Sequence, residues 1–287
     1  MPTDIIQWFP GHMAKTRRLM KENLKNVDVV IELLDARIPE SSRNPEIGKL
    51  TEGKPVVTLL NKAMLADPNA TDAWVERYKK ANNIAIAVDC VSGKGMDKLM
   101  PAIRTLLAEK LERYAQKGMS GRKIRAMVVG IPNVGKSSLI NRLCGSKKAK
   151  VENRPGVTLN PQWVSTSLGL DLMDMPGVLW PRFDDRKTGE NLAITGAIKD
   201  DVVVIETLAV ALCNRLRNAY PTLLATRYKF EWNEQTLALT DYELFEFIGR
   251  KRGCLVSGGE IDTERTANLL LDEFRAAKIG RITLDTL

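Results

Sequence analysis

Gly130-Ile131-Pro132-Asn133-Val134-Gly135-Lys136-Ser137 is the stretch that decides how this chain folds. It fits G-x-x-x-x-G-K-[ST], and a chance match in a chain of this length has odds of about 1% at average glycine and lysine frequencies. An apolar run, 124–129, precedes it, and the helix-patterned 136–144 follows. The local reading is therefore strand, phosphate-cradling turn, helix. Glycines let backbone N–H groups curl around phosphate oxygens, and the start of the next helix favours negative charge. Asn133, Val134, Gly135, Lys136, Ser137 and Ser138 are accordingly assigned to nucleotide binding. In that chemistry the lysine reaches the β- and γ-phosphates and the Ser137 hydroxyl ligates Mg²⁺.

Outward from this turn, short apolar runs alternate with amphipathic stretches, the pattern of an α/β domain with a mostly parallel sheet. Strands are expected at 27–34, 55–60, 84–88 and 124–129, then at 162–167 and 168–173 as a hairpin around Gly169. Helices are expected at 13–25, 70–81, 97–116 and 136–144, with a glycine joint at Gly118–Gly121. From about residue 186, after a linker containing Pro181 and Gly189, only helical periodicity remains, at 204–219, 240–251 and 262–278. Thr240 with Glu243 fits a capping box, Asp262 an N-cap, and Gly253 and Gly280 helix ends. Two units are expected: 1–185, α/β, and 186–287, a small all-helical domain.

Composition is that of an ordinary globular protein, 44% apolar and 27% charged. No apolar run approaches a membrane span, and neither a signal peptide nor a lipidation motif is read, so a cytoplasmic protein is expected. One histidine, His12, and four scattered cysteines argue against a zinc site or a disulfide framework. The net charge of +8 divides into +9 over residues 1–204 and −1 over 205–287. Basic stretches at 15–25, 104–125 and 142–154 point to a polyanionic partner such as RNA.

Three further motifs belong with the phosphate turn. Asp174-Met175-Pro176-Gly177 lies 37 residues after Ser137, at a strand end. Its aspartate suits Mg²⁺ and its Gly177 N–H suits the γ-phosphate. Between them, Arg154-Pro155-Gly156-Val157-Thr158 offers Thr158 as a second Mg²⁺ and γ-phosphate ligand. Asn61-Lys62-Ala63-Met64 resembles the guanine-reading N-K-x-D of GTPases, with Met64 where the aspartate would accept from guanine N1 and N2. Asp89-Cys90-Val91 resembles the second base loop, Cys90 and Val91 being its contacts. These pieces resemble a translation-factor-class GTPase in permuted order, running Asn61, Cys90, Gly130, Thr158, Asp174. Joining the usual ends and cutting elsewhere is tolerated when those ends are close.

The order, with Trp8–Met13 (WFPGHM), Asp35–Pro39 (DARIP), Ser41–Pro45 (SSRNP), Thr195–Asp200 (TGAIKD) and Arg252–Gly259 (RGCLVSGG), resembles the YlqF/RbgA family of ribosome-biogenesis GTPases over nearly the whole chain. The resemblance implies a circularly permuted P-loop GTPase domain followed by a helical C-terminal domain. It also implies GTP and GDP as ligands, and a late large (50S) ribosomal subunit intermediate with its rRNA as the partner that stimulates hydrolysis. Val178 follows D-x-x-G where many GTPases place a water-orienting glutamine. Permutation puts the free end of helix 13–25 near the γ-phosphate, so His12 becomes the catalytic candidate, as the resemblance also implies. The resemblance further implies that Asn133 ligates K⁺. The competing expectation is a nucleotide-gated ribosome- or RNA-binding protein whose hydrolysis is incidental.

Overall fold

In the computed structural model, residues 10–79, 83–119, 121–145, 162–180, 183 and 185–287 are described, with only the backbone for 10–14. Six strands form one sheet: β1 (Val29–Asp35), β2 (Val56–Asn61), β3 (Asn83–Ala87), β4 (Ile124–Gly130), β5 (Gln162–Ser165) and β6 (Leu170–Asp174). Their order is β3-β2-β1-β4-β6-β5. Every pairing is parallel except the β5–β6 hairpin, which turns at Gly169. The central strand β1 is buried along its whole length, which is why it reads as an almost unbroken apolar run. Strand order reverses between β1 and β4. That places a crevice at their carboxyl ends, where open α/β sheets bind ligands.

The helices are α1 (Pro10–Leu24), α2 (Pro45–Leu50), α3 (Pro68–Tyr78), α4 (Leu99–Leu106), α5 (Ala108–Gln116), α6 (Lys136–Cys144), α7 (Arg186–Ile194), α8 (Ile205–Ala219), α9 (Pro221–Tyr228), α10 (Glu234–Ala238), α11 (Asp241–Lys251) and α12 (Thr263–Arg275). Several differ from expectation. α1 starts three residues early because a proline at the first helical position lacks only an N–H that would be unpaired there. The expected helix 97–116 breaks at Leu107, whose side chain turns into the core while the following α5 buries none of its own. α12 stops at Arg275, with Ala277 left-handed soon after, rather than running to 278. The expected linker around Gly189 is helix α7, capped by Asp185, whose carboxylate accepts from the Thr188 N–H. The capping box Thr240–Glu243 and the Asp262 cap form as expected.

α1 covers one face of the sheet, Met20 packing with Met127, Met173 and Met175. On the other face the core does not stop at the sheet. One buried cluster runs from Ile31 and Val128 through Leu179 and Leu192 to Leu212, Phe245 and Phe274. Apolar packing therefore joins the sheet to the C-terminal helices. The segment after α12 then returns across the sheet's loops: the Leu284 N–H donates to the Arg37 carbonyl, and the Thr283 hydroxyl to that of Ala36. Asp285, buried, accepts from the Ser41 N–H (2.7 Å), the Ser41 hydroxyl (2.6 Å) and the Asn191 amide (2.8 Å). Asp285→Ala strands the buried Ser41 N–H and hydroxyl and leaves the Asn191 amide only its bond to Ser41 Oγ (3.1 Å), so stability is expected to fall by about 2–3 kcal/mol, a sum of partly unmet hydrogen bonds. A lower urea midpoint with an unchanged slope would show this; an unchanged midpoint would contradict it.

Candidate active site

The phosphate turn leaves β4 at Gly130 and enters α6 at Lys136. Gly135 has φ +108, and a Cβ there would run into the Asn61 amide, so only glycine fits. Asn133 is itself left-handed, at φ 57. Ser137 and Ser138 sit in the first turn of α6, whose unpaired N–H groups face any bound phosphate. The Lys136 ammonium is buried and donates to the carbonyls of Gly130 (3.1 Å) and Ile131 (2.8 Å). Burial lowers its pKa to about 8 against a smaller opposing pull from Asp174. Asp174 is buried at the end of β6. Gly177 lies against the turn: a Cβ on it would stand 2.7 Å from Lys136 Nζ and 2.9 Å from the Pro132 backbone. The turn, Asp174 and Gly177 thus converge as the motif spacing requires.

The base loops meet at Asn61. Its Nδ2 donates to the Val134 carbonyl (2.7 Å) and its Oδ1 accepts from the Cys90 N–H (3.0 Å). Asn61 therefore ties the phosphate turn to both base loops. Lys62, left-handed at φ 62, donates to Asp35 (2.9 Å). The Cys90 thiol is buried, and burial pushes its pKa up to about 12. Its neighbour Val91 is 81% exposed. Met64 is exposed. Asp67 caps α3, accepting from the Asn69 and Ala70 N–H groups, and also accepts from the Tyr220 hydroxyl.

Asn133 Nδ2 donates to the Gly196 carbonyl (2.8 Å), a bond the sequence did not announce. Of the other assigned residues, Thr158 and the His12 side chain lie outside the described residues. Spacing also missed Asp35, Arg37, Arg142 and Arg281, which hold the site's loops from behind. Asp35 and Arg37 sit within the DARIP stretch, which is noticeable as sequence but carries no ligand chemistry.

Residues 125–211 match the family model described as a 50S ribosome-binding GTPase. Over 281 residues the chain is 48% identical to ribosome biogenesis GTPase A of Priestia megaterium, covering 98% of this chain and 96% of that protein. The chain belongs to the ribosome biogenesis GTPase A family. Another similar protein, mitochondrial ribosome-associated GTPase 1 of Mus musculus, is 33% identical over 98% of this chain and 90% of its own. YlqF of T. maritima, solved with GNP bound, superposes with a TM-score of 0.62 at 27% identity, covering 94% of this chain and 97% of that one. As a member of the ribosome biogenesis GTPase A family, the protein binds GTP and hydrolyses it to GDP and phosphate. Its α/β domain is the circularly permuted P-loop GTPase fold, followed by a helical region.

The lowered Lys136 pKa gives phosphate binding a pH dependence. Below pH 8 the free protein already carries the ammonium that the phosphates need. Above it, binding must draw in a proton, so GDP affinity is expected to fall as pH rises through about 8. Calorimetry at pH 8 in buffers of different ionisation enthalpy should show proton uptake on binding. No uptake, with flat affinity from pH 7 to 9.5, would contradict the assignment.

Proposed function

We propose that this GTPase acts on a late intermediate of the large (50S) ribosomal subunit, and that the particle stimulates its hydrolysis. The match of the chain to ribosome biogenesis GTPase A along almost its whole length carries this reading. The charge distribution supports it. Lys15, Arg17, Arg18, Lys21 and Lys25 are all exposed on or just beyond α1, a basic strip suited to RNA phosphates. Residues 1–185 would serve as the GTPase unit and 186–287 as the part that reads the particle's shape, in the cytoplasm.

The chemistry assigns roles by position. Lys136 and the first turn of α6 bind the phosphates, and the Gly177 N–H faces the γ-phosphate. A serine hydroxyl and a carboxylate, Ser137 and Asp174, are hard oxygen donors and fit Mg²⁺ that keeps waters and phosphate oxygens as its other ligands. Thr158 would join them. When bound, Mg²⁺ offsets charge on the β- and γ-oxygens. Asn133 would offer Oδ1 to K⁺, since its Nδ2 is committed to Gly196. The Val178 side chain has no polar atom with which to orient water, so a side chain that positions it must come from elsewhere. The middle of α1 is linked to Val178 by way of α2 and its cap: Arg17 pairs with Glu46, and the Asn44 amide donates to the Val178 carbonyl (3.1 Å). His12, two turns or less before Arg17 on the same helix, is the group we assign to orient the attacking water.

Single-turnover GTP hydrolysis with and without large-subunit particles tests the reading. Stimulation is expected, and His12→Ala should remove most of it while nucleotide affinity stays within a few-fold. A variant as fast as the parent would clear His12 of the role. Equal rates with and without particles would favour a binding protein with incidental hydrolysis. Particle binding should be tighter with a non-hydrolysable GTP analogue than with GDP, and weaker at higher salt.

A further inference from the structure

The base-reading loop has methionine where guanine's N1 and N2 would meet a carboxylate, and Asp67 is spent on capping α3 and on Tyr220. Among the described residues of the two base loops, guanine would then be told from adenine by the placement of backbone groups and of Asn61 and Lys62. Such discrimination works only if the loops hold their shape, because a displaced donor no longer meets its base atom.

Both loops are held by an arginine forked onto two backbone carbonyls. Arg142, from α6, donates to the carbonyls of Cys90 (3.1 Å) and Val91. Arg281, beyond α12, donates from Nε to the Ala66 carbonyl (2.9 Å) and from Nη2 to the Ala63 carbonyl (2.7 Å). Next to it, the Ile282 N–H donates to the Leu65 carbonyl (3.2 Å). Three of the four carbonyls from Ala63 to Ala66 are thus held by two consecutive residues of a strap about 215 positions away. The strap is itself fixed, the Thr283 carbonyl accepting from Tyr220 and the Leu284 N–H reaching Arg37.

We infer that the strap 281–285 forms the outer wall of the base site, and that Arg281 is a positioning residue that sets guanine selectivity in place of the carboxylate Met64 does not supply. The inference rests on Asn61 and Lys62 reading the base. Arg281 is exposed, so truncating it leaves no buried cavity. By reciprocity, a nucleotide that favours the braced loop must also steady the strap.

The test is competition of labelled GDP by GTP and by ATP on the full chain, beside hydrogen exchange of the Ile282 and Leu284 amides. Arg281→Ala is expected to lower the GTP-to-ATP affinity ratio about tenfold, the worth of one lost charge-assisted hydrogen-bonded brace. Arg281→Lys should recover part of the ratio, and GDP should slow exchange at both amides in the parent. Lys62→Ala separates the two layers. If it weakens GTP binding while Arg281→Ala leaves the ratio unchanged, or lowers GTP and ATP equally, the strap's role is overturned and the base site stands. If Lys62→Ala has no effect on GTP, the base lies elsewhere and both readings fail.

Discussion

One buried carboxylate, Asp35, holds the centre of this molecule together. It stands at the carboxyl end of β1, beside the crevice where strand order reverses. Burial alone would raise its pKa, but the Arg37 and then the Lys62 charges more than offset that and hold the carboxyl well below the usual range. A buried charge is tolerable only when paired and hydrogen-bonded, and removing one partner is strongly destabilising. The Arg37 guanidinium meets it with two bonds, at 2.9 and 2.6 Å, the Arg37 N–H with another at 3.1 Å, and Lys62 with a fourth. The pairing fixes the strained, left-handed Lys62 and so the start of the base loop. The same Arg37 guanidinium reaches the Thr195 carbonyl and stacks over the Phe274 ring, which carries the constraint into the helical region.

Thr195 belongs to a second pattern. The last carbonyls of a helix have no partner within it. At the end of α7 four successive carbonyls are met by side chains from three distant places. Arg275 of α12 takes Ala193 and Ile194, Arg37 takes Thr195, and Asn133 of the phosphate turn takes Gly196. A helix terminus has become the junction between the 130–137 turn, the sheet and the helical region. Movement of the phosphate turn and movement of α12 therefore act on one short segment, a physical route for coupling of the kind that links nucleotide state to partner binding.

The parts of this design that lie along the chain were legible in it. The phosphate turn, D-x-x-G and the base loops carry fixed spacings, and the strands carry apolar runs bounded by turn residues. The capping box at Thr240 needed only a local pattern. Less legible were features set by distant partners. The stretch containing Pro181 and Gly189 reads as linker, whereas Arg186–Ile194 is helix α7, whose buried Leu192, Ala193 and Ile194 offset the poor helix propensity of Gly189. Asn61 reads as a base contact, yet it also braces Val134 and Cys90, since its neighbours in space are 73 and 29 residues away. Arg281 left no local signal at all, being one arginine among 43 basic residues. The helical region reads as a unit of its own because only helical periodicity remains from about residue 186. The shared core shows that a change of periodicity need not mark a break in packing.

The reach of the strap also orders events during synthesis. Ser41 and Asp285 meet across 244 residues. A chain made from its amino end at ordinary speeds needs about 10–50 s to cover that distance. From the moment the phosphate turn has been made, Asp35, Asn61 and that turn exist together, but the wall behind Ala63–Ala66 does not until residues 281–285 follow. A polypeptide released early carries the recognisable GTPase motifs and lacks the brace on its base loop. On that reading the choice of guanine over adenine becomes a property of the finished chain, acquired later in synthesis than the phosphate turn itself.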